Sequence, residues 1–394
     1  MSEQTQSSVA PEVTDTVVIG GGPAGLAMGA CLLQAKVPFM ILERASAVGA
    51  AWRNHYERLH LHTVKQHSSL PFLPFGNHVP KYVPRAQVVE YLDAYALRFG
   101  LELCLNHEVK RVNREGDVWI TVCEHQTFHS KRVVIATGYN RKPVVPSWPG
   151  QDAFTGVILH SAAYRSGAAY RGQRVLVVGF GNTGAEIALD LVEHGATVTQ
   201  CVRGPVHVVP REALGSPTQV TGIMLEKLPV GLADLISNTL TRIIVGDLSR
   251  YGLTRPAKSP FHQISADGRV PVIDVGTIAK IKDGTIKVVP GIQRFDGANV
   301  VFEDGTSLPF DVVVLATGYR PGLDDFLEHA KELVDERGYP RELSVESARY
   351  PGLYFLGYKN PPAGFLRQIA IDSQAIAKCI AQKHAPLETA HGRA

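Results

Sequence analysis

The pattern of apolar and polar positions predicts two similar strand–helix–strand units. A short apolar run at Asp15–Ile19 predicts a strand, Pro23–Gln34 predicts a helix, and Val37–Leu42 predicts a second strand. The same order recurs later, with strands at Gln173–Val178 and Thr197–Val202 on either side of a helix. In both units a glycine-rich turn joins the first strand to the helix. This arrangement is typical of βαβ units in a parallel sheet.

The remaining pattern predicts that one domain is interrupted by another. We expect an α/β fold with two Rossmann-like dinucleotide-binding domains, the second inserted in a discontinuous first domain. The first would comprise residues 1–164 and 300–394, and the second residues 165–299. The other predicted elements are helices around Ala86–Phe99, Ala233–Ile244 and Ile369–Ala381, and strands around Val109–Val112, Val118–Val122, Ile286–Val289, Asn299–Phe302 and Val312–Ala316.

Composition and charge narrow the class of protein. The chain has 394 residues, 45% of them hydrophobic and 20% charged, with a net charge of +3 and no basic cluster that would indicate a nucleic-acid partner. We expect neither an integral membrane span nor a signal peptide, and therefore a cytoplasmic protein, with a homo-oligomer left open. The apolar stretch at Ile223–Ile244 favours an amphipathic helix buried in the domain or in a dimer interface.

The five cysteines are widely spaced, at Cys31, Cys104, Cys123, Cys201 and Cys379. This spacing provides neither a CxxC redox pair nor the ligand pattern of a zinc site. We therefore expect no metal and free thiols in a reducing compartment.

The first glycine-rich turn has the GxGxxG spacing of a dinucleotide-binding site. Gly20 permits the tight turn, Gly22 lets the backbone approach a pyrophosphate, and Gly25 allows close packing of helix on strand. Pro23 and Ala24 begin the helix, whose unpaired N–H groups favour phosphate. An ordinary glycine-rich turn is the alternative, and the flanking strand and helix argue against it.

An acidic residue at the end of the second strand indicates which dinucleotide binds there. The Glu43 carboxylate can accept hydrogen bonds from ribose hydroxyls and would repel a 2′-phosphate, so this site should take FAD or NAD rather than NADP. Arg44 is the next residue, and Trp52 either contacts the cofactor or simply packs on the domain. We favour FAD for this site.

The second glycine-rich turn repeats the motif with a different ending. Gly179, Gly181 and Gly184 have the same spacing, and Asn182 and Thr183 begin the helix. The motif predicts a second dinucleotide, bound by the domain at residues 165–299.

Arginine replaces the acidic residue after the second strand of that unit. Arg203 can pair with a 2′-phosphate, which favours NADPH over NADH, although a solvent-facing arginine is the alternative. Two further turns, at Gly138 and Gly318, each follow an apolar strand within an Ala-Thr-Gly-Tyr sequence. We expect both turns to lie near a cofactor, at crossings between the domains.

The stretch Phe154–Tyr164 matches FxGxxxHxxxY and resembles the identifier of class B flavoprotein monooxygenases. Tyr164 stands where the related Baeyer–Villiger enzymes have Trp, so the chain is most similar to the flavin-containing monooxygenase branch. Several further segments resemble the YUCCA-type members of that branch, namely Arg58–Gln66, Tyr164–Asp190, Val202–Ala213, Leu228–Gly252 and Arg269–Phe295. Tyr139 departs from the Glu usual in the subgroup, so contacts with the substrate are expected to differ.

The resemblance implies an enzyme that uses FAD, NADPH, O2 and a small-molecule substrate. In that family NADPH reduces the flavin, and O2 then forms a C4a-(hydro)peroxyflavin that transfers one oxygen atom in a dry pocket. The subgroup implies oxidative decarboxylation of a 2-oxo acid such as indole-3-pyruvate. The alternatives are N- or S-oxygenation of an amine or thioether, or a plain NADPH-dependent flavin reductase or electron-transfer protein. We do not expect a disulfide reductase, because those enzymes need a CxxC pair beside the flavin and this sequence has none.

Four candidate catalytic residues follow from this resemblance. His62, Lys65 and Gln66 lie in the loop after the FAD ribose strand, and YUCCA-type members carry His at the position of His62 where animal-type members carry Asn. Asn182 opens the NADPH helix and either caps it or contacts the nicotinamide. His160 is expected to support the domain linker rather than act as a base.

Overall fold

The computed structural model describes residues 12–384, except 214, 226–227, 258, 261–262 and 264–269. Within these residues a first sheet of seven strands is formed by β1 (Glu12–Ile19), β2 (Phe39–Leu42), β5 (Leu103–Cys104), β6 (Val109–Glu115), β7 (Val118–Cys123), β8 (Thr127–Ile135) and β23 (Leu353–Phe355). The strand order is β5-β2-β1-β8-β7-β6, with β23 beside the end of β8. β1, β2, β5, β8 and β23 run parallel, and β7 pairs antiparallel with both β6 and β8.

Both faces of the first sheet are covered, which explains the continuous apolar run in its central strand. Successive side chains of β1 point to opposite faces, so Val18 lies in one core and Val17 and Ile19 lie in another. The Val18 core also holds residues of α1 (Pro23–Gln34), α3 (Arg85–Phe99) and α9 (Phe365–His384). Because α1 is buried over most of its length, it is apolar on nearly every side.

The second sheet is entirely parallel. It consists of β10 (Val157–His160), β11 (Arg174–Val178), β12 (Thr197–Cys201), β17 (Ile286–Val289) and β21 (Val312–Leu315), in the order β10-β21-β11-β12-β17. Residues of α4 (Asn182–Glu193) pack on one face of this sheet. The other face is covered by β18 (Ile292–Asp296), β19 (Asn299–Phe302) and β20 (Ser307–Pro309), which pair antiparallel.

The predicted domain boundaries are wrong for two strands. The division at residues 164 and 300 assigns β10 and β21 to the first domain, whereas both pair within the second sheet. An apolar run such as Val312–Leu315 is buried on both faces in either sheet, so its sequence carries no sign of which sheet it joins. The rest of the predicted division stays a proposal.

The other predicted elements are present within a few residues of their expected bounds. The remaining helices are α2 (Ala50–Arg53), α5 (Thr218–Leu225), α6 (Val230–Val245), α7 (Thr277–Lys282) and α8 (Ala330–Leu333), and short 3-10 helices span Lys65–His67, Gln151–Ala153, Gly167–Tyr170, Ser249–Tyr251 and Leu323–Asp325. The remaining strands form pairs: β3 (His60–Val64) with β4 (Tyr82–Pro84), β9 (Lys142–Pro143) with β22 (Tyr319–Arg320), β13 (Val208–Pro210) with β16 (Val272–Asp274), and β14 (Glu212–Ala213) with β15 (Ser216–Pro217).

The stretch Ile223–Ile244, predicted as an amphipathic helix, is divided between the end of α5 and α6. The burial of α6 is one-sided. Ala233 and Val245 are buried, while Leu235 is 65% exposed and Ile243 is 76% exposed. No helix in the described part of the chain is long and apolar enough to cross a membrane.

Candidate functional site

The part of the chain that folds around the first sheet is here called the first unit, and the part around the second sheet is called the second unit. A cavity of about 880 Å³ lies between the two units. The first unit contributes the carboxyl ends of β1, β2 and β8, through Ile19, Leu42 and Ala136, and the second unit contributes the start of α4. Ligands of open parallel sheets bind at the carboxyl ends of the strands, so the cavity is in the expected place for a dinucleotide. The sequence-predicted site residues that line it are Gly20, Gly22, Pro23, Ala24, Glu43, Arg44, Trp52, His62, Gly138, Asn182 and Thr183.

The first glycine turn is shaped for a bound phosphate. A Cβ atom at Gly25 would lie 1.8 Å from the carbonyl oxygen of Gly20, so this close crossing of helix and strand requires glycine. A Cβ atom at Gly22, in contrast, would meet nothing within 4 Å, although Gly22 lines the cavity. No side chain caps the N-terminus of α1, so its first N–H groups are left for a ligand. The turn therefore fits the pyrophosphate of FAD.

The second glycine turn reproduces this geometry. A Cβ atom at Gly184 would lie 2.0 Å from the carbonyl oxygen of Gly179, and a Cβ atom at Gly181 would meet nothing within 4 Å. No side chain caps α4 at its N-terminus. The second turn therefore fits a second dinucleotide.

The repeated Ala-Thr-Gly sequences support these turns. A Cβ atom at Gly20 would lie 2.7 Å from the carbonyl oxygen of Ala136, and one at Gly179 would lie 2.6 Å from that of Ala316. Gly138 lines the cavity, whereas the carbonyl oxygen of Gly318 lies 3.1 Å from Nε2 of His160. The two sequences therefore occupy equivalent places, one beside each turn.

Glu43 is held at the edge of the first turn by backbone groups. Its carboxylate accepts hydrogen bonds from the N–H of Gly21 at 2.6 Å and from the N–H of Ala45 at 2.8 Å. Glu43 also lines the cavity, so these two hydrogen bonds fix the position of a carboxylate in the cavity wall. Arg44 is exposed, and Trp52 is partly buried against the core of the first unit.

The residues predicted for the second dinucleotide differ in what they contact. Asn182 uses its side chain within the protein, accepting a hydrogen bond from the N–H of Ile273 at 2.7 Å and donating to the carbonyl of Pro271 at 3.3 Å. It thereby fastens the Pro271–Ile273 segment to the start of α4. Arg203 is exposed and follows the end of β12 by two residues.

The segment predicted as a loop forms β3 and a 3-10 helix, and only one of its three candidates lines the cavity. His62 lines it, while Gln66 is exposed and lies outside the lining. The ammonium group of Lys65 donates to the carbonyls of Gly76 and Asn77 at 3.2 and 3.0 Å, so it holds the loop that precedes β4. Lys65 therefore has a structural contact, and His62 is the one of these three candidates that lines the cavity.

Two residues of the stretch Phe154–Tyr164, His160 and Tyr164, form hydrogen bonds that hold this segment in place. The Tyr164 hydroxyl is buried and donates to the Asp190 carboxylate at 2.6 Å, which ties the linker to α4. Burial lowers the pKa of His160, which favours its neutral ring. Its Nδ1 accepts a hydrogen bond from the N–H of Ala162. The expected support of the linker by His160 is consistent with these contacts.

Two residues that the sequence pattern did not reveal bridge the units. Gln219 of α5 is buried, accepts a hydrogen bond from the N–H of Val64 at 2.8 Å and donates to the carbonyl of Ala363 at 2.6 Å. Glu186 of α4 is buried and contacts His62. Both contacts join residues distant in sequence, so no local motif marks them.

The part of the cavity wall formed by described residues between 209 and 273, here called the outer wall, has no charged side chain. Its residues are Val209, Pro210, Ala213, Thr218, Gln219, Thr221, Gly222, Leu225, Ser237, Thr241, Ile244, Pro260, Val270, Pro271 and Ile273. Charged residues, among them Glu43, Glu108, Arg141 and Arg165, line other parts of the cavity. On the opposite side the Tyr139 ring lies 5.2 Å from that of Phe365, and its hydroxyl accepts a hydrogen bond from Asn360 at 3.2 Å. An uncharged wall of this kind suits a flat, apolar ligand.

The chain is similar in sequence and in fold to known flavin-dependent oxidoreductases. Residues 17–214 match the family described as pyridine nucleotide-disulphide oxidoreductase. The chain is 38% identical to the rice indole-3-pyruvate monooxygenase YUCCA4, over 94% of this chain and 88% of the relative. It is 39% identical to the Arabidopsis thaliana probable indole-3-pyruvate monooxygenase YUCCA7, over 88% and 83% of the two chains. The solved flavin-containing monooxygenase from Stenotrophomonas maltophilia has the same fold, with a TM-score of 0.73, 23% identity, and 94% and 99% coverage.

Proposed function

Because the chain belongs to the YUCCA family of flavin monooxygenases, we propose that it oxidatively decarboxylates a 2-oxo acid with an aromatic side chain, with indole-3-pyruvate as the first candidate. The protein is an FAD-containing, NADPH-dependent monooxygenase. The similarity to indole-3-pyruvate monooxygenases over 94% of the chain carries the proposal. The uncharged outer wall supports it, since an indole ring is flat and apolar.

The residues of the first turn would hold FAD. When bound, FAD takes the hydride of NADPH and activates O2. We propose that Gly20, Gly22 and the start of α1 receive its pyrophosphate, and that Glu43 accepts a hydrogen bond from its ribose. The neighbouring Arg44, Trp52 and Gly138 complete the proposed FAD contacts.

The residues of the second turn would hold NADPH. We propose that the N–H groups at the start of α4 bind its pyrophosphate, and that Arg203 pairs with its 2′-phosphate. The exposed position of Arg203 leaves the guanidinium open to such a ligand.

Substitution of Arg203 tests this assignment. In Arg203→Ala, we expect the KM for NADPH to rise about 10-fold to 100-fold, because charge-assisted hydrogen bonds to a phosphate contribute about 1.5–3 kcal/mol. The KM for NADH should change little, since NADH lacks the 2′-phosphate. Steady-state rates with both nucleotides measure this, with Arg250→Ala as an exposed control in the same unit. Equal effects on NADPH and NADH would contradict the role of Arg203.

Product analysis tests the substrate. In the proposed reaction a 2-oxo acid, NADPH, O2 and one proton give the shortened carboxylic acid, CO2, NADP and water. Incubation with indole-3-pyruvate should therefore yield indole-3-acetate and CO2 in amounts equal to the NADPH consumed. An amine or thioether that is oxygenated while 2-oxo acids give no CO2 would show N- or S-oxygenation instead. NADPH consumption matched only by H2O2 would indicate a plain flavin reductase.

The cellular setting is also a proposal. All five cysteines are free thiols, which fits a reducing compartment and supports a cytoplasmic location. A homo-oligomer stays a prediction.

A further inference from the structure

A buried carboxylate lies at the contact between the two units. Glu186 of α4 is 2% exposed, and each of its carboxylate oxygens meets a group from the first unit. Nε2 of His62 lies 2.7 Å from Oε1, and the Tyr56 hydroxyl donates to Oε2 at 3.2 Å. A buried carboxylate is tolerated only when its oxygens are paired in this way.

The other ring nitrogen of His62 lacks a partner. Nδ1 is buried and forms no hydrogen bond with any described residue. His62 nevertheless lines the cavity. Buried polar atoms are nearly always hydrogen-bonded in native proteins. Among the described residues the ring is therefore held through Nε2, by Glu186 alone.

We propose that Glu186 is a positioning residue that holds the His62 ring in one orientation beside the 2-oxo acid substrate. Tyr56 fixes the carboxylate in turn. A carboxylate on one ring nitrogen sets the orientation of an imidazole. This inference rests on the proposed function.

The same segment of the first unit is fastened to α4 at a second point. The Arg58 guanidinium makes two hydrogen bonds of 2.8 Å to the Glu193 carboxylate. The helix whose first turn fits the NADPH pyrophosphate thus also sets the position of His62. This position of His62 therefore requires the two units to be docked as seen here.

Glu186→Gln tests the proposal by a split between kinetic constants. We expect kcat with the 2-oxo acid to fall about 10-fold to 100-fold, as for other residues that orient a ligand-binding histidine. The FAD content and the KM for NADPH should stay close to those of the unmodified protein. Tyr56→Phe keeps the ring and removes one donor, so kcat should fall about 2-fold to 10-fold. This second variant keeps the test decisive if Glu186→Gln does not fold.

A matched control and a double variant separate positioning from a merely structural role. Glu212 also pairs with a lysine and a tyrosine of the first unit, Lys81 at 2.6 Å and Tyr82 at 2.8 Å, but it does not touch His62, so Glu212→Gln should leave kcat unchanged. If Glu186 acts through His62, the double variant His62→Asn, Glu186→Gln should lose no more activity than His62→Asn alone. Losses that multiply would overturn the proposal.

The two proposals fail in different ways. If the unmodified protein releases no CO2 from any 2-oxo acid, the proposed function fails and this inference fails with it. If it does release CO2 and Glu186→Gln matches its kcat, only the role of Glu186 is overturned.

Discussion

Gly22→Ala is expected to give a folded protein that has lost most of its FAD. The backbone at Gly22 has φ −82° and ψ −172°, which any residue adopts, and the added Cβ atom would meet nothing within 4 Å. The added methyl group would instead occupy the space that the pyrophosphate requires. Forcing extra volume into a fitted site costs about 1–3 kcal/mol, so FAD affinity should fall about 10-fold to 100-fold. The ratio of flavin absorbance to protein after gel filtration measures the loss.

The equivalent change in the second turn should have the opposite selectivity. Gly181 has φ −96° and ψ −175° and the same open space around its Cβ position. Gly181→Ala should therefore retain FAD and raise the KM for NADPH about 10-fold to 100-fold. Gly231→Ala adds a methyl group on the exposed surface of α6 and should affect neither cofactor. If Gly22→Ala impaired NADPH and Gly181→Ala released FAD, the two sites would be assigned the wrong way round.

Asp15→Asn should be the most destabilising of the single changes considered. The Asp15 carboxylate on β1 pairs with Arg132 on β8, and the two side chains are only 5% and 9% exposed. Removing one charge leaves Arg132 buried without its counter-ion, which costs about 3–5 kcal/mol of unfolding free energy. The exposed pair of Arg174 with Asp311 is the control, and Asp311→Asn should cost less than about 1 kcal/mol. Urea unfolding of the FAD-bound protein compares the two, and similar losses would contradict this account.

The same carboxylate should contribute to the acid sensitivity of the fold. Burial opposes ionisation of Asp15, but hydrogen bonds from Arg132, His384 and Thr16 outweigh it and lower the pKa of the carboxyl. A carboxyl whose pKa is lower in the folded protein stabilises the fold above its unfolded value of about 3.9. This contribution is lost as the pH falls through the folded pKa. Between pH 6 and pH 3, roughly, Asp15→Asn should therefore lose less stability than the unmodified protein.

The sequence predicted the parts of the fold that are local in the chain. The helix Pro23–Gln34 has its expected bounds, because the proline at its start, the glycines before it and its apolar run all lie within that segment. The glycine spacing likewise predicted both turns, since the contacts of Gly25 with Gly20 and of Gly184 with Gly179 each join residues only five positions apart.

Contacts between distant segments were beyond such reasoning. The strand Val312–Leu315 was assigned to the wrong domain, because nothing in its apolar run distinguishes the two sheets. Lys65 is close to His62 in the sequence, but the direction of its side chain depends on carbonyl groups of a later loop. Glu186 resembles any other helical glutamate until the fold brings His62 beside it.

The placement of β21 has a consequence for biosynthesis. This strand lies between β10 and β11 in the second sheet, yet it is made after almost all the rest of that unit. A nascent chain that ends before residue 312 leaves β10 without its partner and one side of β11 unpaired. Strand edges that have not yet paired with their partner strand are prone to aggregation. We therefore expect the nascent chain to be most prone to aggregation before residues 312–315 have been made.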